Sequence, residues 1–191
     1  FESIIKTMDI KGDVCEFGVA QGKTSKLIGY LIKNTNKKLY LFDSFEGLPE
    51  PSINDELKDD IFNLGSMKSY KGKMFHKKHK VINELTDIKL ETNKYIINEG
   101  FVNEENIKNL IFPDRVSFAY LDFDFYQPTL DVLNVLDKKL LYKSIVIVDD
   151  YDFFSTGVKK AVDEWIDINK GKYKINKIRT EEASYVIIIK N

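Results

Sequence analysis

Five acids stand where this chain could do chemistry. Glu16, Asp43, Asp122 and the adjacent Asp149 and Asp150 each follow a short apolar, β-prone run. A run ending in an acid puts the carboxylate at the carboxyl end of a strand, the edge where open α/β sheets bind ligands. Carboxylates gathered in one cleft repel one another, so cations or hydrogen-bond donors must lie among them. Asp122, Asp149 and Asp150 come from two runs that the pattern makes neighbours. Hard oxygen ligands with no accompanying His or Cys cluster suit Mg²⁺ or a similar hard divalent cation, and not zinc. Asp124 shares a face with Asp122 by alternation, but Asp122 lies nearer the apolar run and ranks first. The competing reading is that Asp149 and Asp150 only cap the next segment.

The first acid sits in Val-Cys-Glu-Phe-Gly-Val-Ala-Gln-Gly-Lys-Thr-Ser, residues 14–25. An apolar run, a turn with Gly18 and Gly22, and a helical pattern follow in order. The glycines remove side chains where a ligand would approach backbone. Thr24 and Ser25 fit the first turn of a helix whose free N–H groups favour negative charge. Glu16 would repel a phosphate, so the loop suits a zwitterionic or hydroxyl-bearing ligand better than a pyrophosphate. The bland alternative is an ordinary strand–helix turn. The G-x-G-x-x-G fingerprint is missing, which argues against a nicotinamide-dependent oxidoreductase. Asp43 ends the second run, where an acid commonly accepts hydrogen bonds from a ribose hydroxyl pair. Its alternative is a turn residue for the loop at Ser44. Tyr126 and Tyr151 are candidate walls of an acceptor pocket, while the neighbouring phenylalanines read as packing. His76 and His79 lie in the Lys-rich stretch 71–80, which reads as a solvated face; a minor reading is contact with an anionic substrate.

Strands at 13–17, 38–42, 94–98, 116–123, 144–148, 173–178 and 185–189 must position these acids. Helical spacing is expected at 23–34, 75–85, 104–110, 128–141 and 158–170, with 1–10 as the end of a helix and 55–62 as a short one. Alternation of strands and helices predicts a doubly wound, mostly parallel sheet. The short link at 179–183 makes the closing pair antiparallel. Residues 44–70 are the least regular part, and 45–75 is expected to form a mobile lid on a single domain over 1–191.

The 191 residues carry 29 basic and 30 acidic side chains, a net charge of −1 that gives no support to a general nucleic-acid binder. Cys15, the single cysteine, cannot form an intramolecular disulfide and suits a reducing, cytoplasmic compartment. No apolar run is long enough to span a membrane, and no signal-peptide pattern opens the chain. Phe1 is not an initiator Met, so an upstream portion is expected.

The series Glu16-Phe17-Gly18-Val19 with Gly22, Asp43-Ser44-Phe45-Glu46-Gly47-Leu48-Pro49, Glu99-Gly100-Phe101, Leu121-Asp122-Phe123-Asp124-Phe125-Tyr126 with Thr129, and Val148-Asp149-Asp150-Tyr151 resembles the macrocin O-methyltransferase family. That family methylates sugar hydroxyls of macrolide and aminocoumarin natural products. The resemblance covers most of the chain. It implies the class I S-adenosylmethionine-dependent methyltransferase fold, with seven strands and the last reversed. Glu16, Gly18 and Gly22 would line the methionine part of S-adenosylmethionine. Asp43, Ser44 and Phe45 would hold ribose and adenosine, and Gly100 and Phe101 would border adenine. Asp122, Asp149 and Asp150 would hold Mg²⁺, with Asp122 doubling as catalytic base. The acceptor would be a small-molecule or glycan hydroxyl, and a homo-oligomer is possible in such a family. Two features depart from the pattern: Leu141-Tyr142-Lys143-Ser144 replaces a Pro-Gly-Gly turn, and the upstream region that relatives use for assembly and acceptor binding is nearly absent. A non-catalytic cofactor-binding module is the remaining alternative, against which the intact acid set argues.

Overall fold

The computed structural model describes residues 2–181 and 183–191; Phe1, expected in the first helix, lies outside them. The strands are β1 Asp13–Phe17, β2 Leu39–Asp43, β3 Tyr95–Glu99, β4 Val116–Leu121, β5 Leu140–Val148, β6 Tyr173–Arg179 and β7 Ser184–Lys190. They form one sheet in the order β3-β2-β1-β4-β5-β7-β6. β7 runs antiparallel to both its neighbours and the other strand pairs are parallel. The expected doubly wound sheet with a reversed last strand is therefore present.

The helices are α1 Glu2–Ile5, α2 Lys23–Ile32, α3 Lys78–Asp87, α4 Tyr126–Asp137 and α5 Gly157–Ile168. Successive strand side chains point to opposite faces, so both faces need cover. Val14, Phe118 and Ile145 pack with Ile28, Ile32, Val81 and Leu85 under α2 and α3. Cys15, Ala119 and Val146 pack with Val132, Leu136, Val162 and Trp165 under α4 and α5. Burial also pushes the Cys15 thiol well up, so it behaves as a small hydrophobe. Below the sheet, Lys37 is buried and donates to the carbonyls of Ile10 (2.6 Å) and Gly12 (2.9 Å) and to Ser117 Oγ (2.9 Å).

Two expected helices differ. Residues 104–110 form successive turns, because Asn98 captures the segment's end: Ile111 N donates to Asn98 Oδ1 (2.7 Å) and Asn98 Nδ2 donates back to the Ile111 carbonyl (3.2 Å). Residues 55–62 are not helical either. Asp55 Oδ1 accepts from Tyr126 N (2.7 Å) and Oδ2 from Ser52 N (2.7 Å), while Leu57 pairs with Ser155. Helix α3 begins three residues later than expected, and β5 begins four residues earlier. The extra strand length contains a bulge: Val116 pairs with Leu140, but Phe118 pairs with Ile145. Lys143 takes φ 65° there, in the stretch that departs from the family pattern.

The connection between β2 and α3 has a small core of its own. Leu48, Met67, Tyr70, Phe125 and Phe154 are buried together, and Tyr70 stacks on Phe154 at 5.2 Å. Asp60 gathers Leu64 N (2.8 Å), Gly65 N (2.7 Å) and Tyr70 Oη (2.9 Å). From the sequence this stretch is only the least regular part, because its apolar residues are sparse and unevenly spaced.

Candidate active site

The strand ends converge on one cavity of about 640 Å³. Its walls include Gly18, Asp43 and Ser44 from the ends of β1 and β2, and Gly100 and Phe101 after β3. Asp122, Phe123 and Asp124 follow β4, and Asp150 follows β5. The connection after β2 adds Leu48, Pro49, Lys71, Gly72 and Met74.

Asp122, Asp124 and Asp150 each offer an oxygen within 4.8 Å of the others'. Asp149, which sequence reading places in this set, instead accepts a hydrogen bond from Tyr120 Oη. The reason is backbone shape. Leu121 pairs with Val148 in register, so Tyr120 and Asp149 share the sheet face two positions apart. Asp124 (φ 65°) and Asp150 (φ 50°) then leave their strands through left-handed turns, which redirect both carboxylates. Aspartate tolerates that conformation better than most residues, and strained backbone of this kind gathers at functional sites. Burial, then the charges of Asp150 and Asp149, push Asp122 up to about 8. Burial and then Asp149 push Asp150 up to about 6, and burial with Asp122 raises Asp124 well above its usual range.

Asp43 acts as a turn residue in this structure. Oδ2 accepts from Val19 N (2.7 Å) and Ala20 N (2.9 Å), and Oδ1 from Phe45 N (2.7 Å). The carboxylate thereby pins the β1–α2 loop to the end of β2, and Oδ1 keeps capacity for one further donor. Gly18 (φ 79°) lies so close to β4 that an added Cβ would sit 1.9 Å from the Asp122 carbonyl oxygen. Gly22 is not on the cavity wall. An added Cβ there would meet Val81 Cα at 2.9 Å, so this glycine lets α2 approach α3. Phe45 is also off the wall, buried in the apolar layer beneath α2 and α3.

Glu16 lies just behind the cavity and is fully buried. Ser25 Oγ donates to its Oε2 (2.6 Å), while Oε1 has no hydrogen-bond partner among the described residues. Burial is the main cause that pushes its carboxyl up to about 8, with the Ser25 bond opposing. Folding therefore retains a proton that the unfolded chain loses near pH 4.5. The folded state is not penalised below that pH, and loses stability as pH rises from about 5 to about 8. Glu16→Gln is expected to raise the thermal midpoint by several degrees at pH 8 and to change it little at pH 5. Calorimetric melting at the two pH values checks this; an equal shift at both would remove the titration as its cause.

The tyrosines face away from the expected acceptor pocket. Tyr126 Oη donates to Glu164 (2.6 Å) and Tyr151 Oη to Asp163 (2.7 Å), so the start of α4 and the loop after β5 are each tied to α5. The cavity takes its apolar walls from Phe101, Phe123, Leu48 and Met74 instead. His79 is exposed, and His76 reaches only Gln21 Nε2 at 3.4 Å; neither lines the cavity. Sequence reading missed Gln127 and Asn103 on the wall, polar residues with no motif to mark them.

The profile of the macrocin-O-methyltransferase (TylF) family matches residues 2–185. The chain belongs to that family. As a macrocin-type O-methyltransferase it is an enzyme, and its sheet is that of the class I methyltransferases. No curated protein matches the chain significantly by sequence. Among solved structures it is similar to the O-methyltransferase NovP, with 20% identity, a TM-score of 0.78, and coverage of 100% of this chain and 76% of that one. It is similar to CalS11, a calicheamicin methyltransferase, with 20% identity, a TM-score of 0.71, and coverage of 97% and 75%. An O-methyltransferase from Bacillus cereus in complex with SAH gives 8% identity, a TM-score of 0.64, and coverage of 99% and 78%. No helix among the described residues is long and apolar enough to cross a membrane.

Proposed function

We propose that this O-methyltransferase moves a methyl group from S-adenosylmethionine to a hydroxyl of a sugar or glycosylated natural product, with a hard divalent cation such as Mg²⁺ at Asp122, Asp124 and Asp150. The observation that carries the reading is the convergence of those three carboxylates, from two strand ends, on the wall of one large cavity. An all-oxygen donor set fits a hard cation. Burial first, and then mutual repulsion, raises these carboxyls, and a cation would relieve the repulsion. The cofactor fits as well. The cavity is large enough for an adenosyl group beside an acceptor, and Gly18 and Gly100 present backbone without side chains to its wall. Behind it, Glu16 Oε1 is a buried oxygen without a donor.

Bound there, the cofactor would supply an electrophilic methyl and the cation would supply Lewis acidity toward the acceptor hydroxyl. The chain's residues do the rest. Asp43 fixes the β1–α2 loop that carries Gly18, and so sets the floor on which a methyl donor rests. Asp124 and Asp150 orient the reacting oxygen, which converts the encounter into a positioned in-line approach. Asp122, which lines the same wall, accepts the hydroxyl proton. Phe101, Phe123 and Met74 keep water from the path, which favours a step in which positive charge disappears. The 45–75 connection acts as the lid that carries the acceptor side.

Calorimetry with S-adenosylhomocysteine and with NAD, beside a methyl-transfer assay on a glycoside panel, tests the reading. Binding of the first alone, with cation-dependent transfer, is expected. NAD binding without S-adenosylhomocysteine binding would overturn it.

A further inference from the structure

The charges around the cavity bear on which acceptor can enter. Six carboxylates line the wall: Asp43, Glu46, Glu50, Asp122, Asp124 and Asp150. Lys71 is the sole lining cation among the described residues, and it is already paired with Glu50 at 2.8 Å. Asp43 is held by three backbone amides at the cofactor end. Whether protons or a divalent ion neutralise part of the aspartate triad, Glu46 is left over. Its backbone N donates to Ser44 Oγ (3.0 Å), but its exposed carboxylate has no partner among the described residues. Gly47 (φ 83°) follows it and packs against the backbone of Gly72 and Lys73, where an added Cβ would lie 2.4 Å from the Lys73 carbonyl oxygen. Leu48 N donates to that same carbonyl (2.9 Å) and Gly72 N donates to the Leu48 carbonyl (2.8 Å). The turn that carries Glu46 is therefore fixed on the rim, between the Asp43 end and the lid walls.

We propose that Glu46 is a specificity-determining residue of the acceptor site, and that the sugar unit entering the cavity is cationic or neutral, an amino sugar before a plain hexose and a uronic acid last. The inference rests on the methyl-transfer reading above. An amine on the sugar meets an unpaired carboxylate across a cavity with no unpaired basic side chain on its wall among the described residues. A carboxylate on the sugar meets the like charge of Glu46, and like-charge juxtaposition in such a site is strongly disfavoured.

The test uses methyl glycosides of glucosamine, glucose and glucuronic acid with the full chain. Their affinities are measured by calorimetry on the S-adenosylhomocysteine complex, with and without Mg²⁺, and transfer is followed in parallel. Affinity is expected to fall from amine to hexose to uronate by about tenfold or more overall, with the gap shrinking as salt is raised. Glu46→Gln is expected to narrow the gap to about threefold while S-adenosylhomocysteine affinity stays unchanged. Uronate binding equal to or better than the amine would overturn the proposal. So would a Glu46→Gln variant that loses S-adenosylhomocysteine affinity and keeps its acceptor preference, since Glu46 would then belong to the cofactor end. Failure of S-adenosylhomocysteine to bind the unaltered chain would instead strike the methyl-transfer reading, and this inference with it.

Discussion

Asp124→Asn is expected to lower methyl transfer by roughly 10²–10³-fold while S-adenosylhomocysteine affinity stays within about threefold. Asp124 is buried, points at Asp122 and Asp150, and is held there by a left-handed turn. The neutral amide keeps the shape and removes one of three charges that would grip a cation. Losing Lewis-acid assistance and orientation together costs several kcal/mol, and each 1.36 kcal/mol is tenfold in rate. The pair Asp149→Asn is the control. Asp149 accepts from Tyr120 and is not among the three clustered oxygens, so its loss should act through local packing and cost much less. Steady-state rates at varied Mg²⁺, with cofactor affinity measured separately, distinguish them. An Asp149→Asn defect larger than that of Asp124→Asn would reverse the assignment.

Gly18→Ala is expected to cripple folding itself. The added methyl would sit 1.9 Å from the Asp122 carbonyl oxygen and 2.7 Å from its carbonyl carbon, both backbone atoms that cannot swing aside. The residue also takes φ 79°, which costs an alanine about 1 kcal/mol before any clash. Relief requires moving the end of β1 away from β4, where Asp122 N donates to the Phe17 carbonyl at 2.8 Å. A loss of several kcal/mol is a large share of a domain's total stability, so the variant should be insoluble or melt far below the parent. Gly65→Ala isolates the conformational part. It has a similar φ of 75° with nothing within 4 Å of an added Cβ, and should cost only about 1 kcal/mol. Thermal melting of both variants gives the comparison. Equal losses would show that the close approach of β1 to β4 is not what Gly18 permits.

The sheet was legible because β4, the end of β5 and β7 are apolar runs and the helices between the strands are amphipathic. Ser-Ile-Val-Ile-Val at 144–148 can hardly be anything but a strand covered on both faces. The site was legible to the level of strand ends and no further. Alternation puts Asp122 and Asp124 on one face, but the left-handed turns at Asp124 and Asp150 override that period. Nothing in Asp-Phe-Asp or Asp-Asp-Tyr announces a positive φ. Asp43 shows the same limit from the other side, since its motif suggests a ligand while its oxygens first serve backbone amides. For Tyr126 and Tyr151, proximity in sequence to the acids says nothing of where a ring points, and α5 offers each hydroxyl a carboxylate partner. The small core under the 44–77 connection was hidden because Leu48, Met67 and Tyr70 meet Phe125 and Phe154 from far along the chain.

The proposed methyl transfer depends most directly on a divalent ion held by the Asp122, Asp124 and Asp150 carboxylates. Titration of the chelator-stripped protein with Mn²⁺, followed by the electron paramagnetic resonance of the free ion, measures that directly. One bound ion per chain, lost in Asp124→Asn and in Asp150→Asn but kept in Asp149→Asn, is the predicted result. Absence of binding in the unaltered chain, or binding that survives Asp124→Asn and disappears in Asp149→Asn, would contradict it.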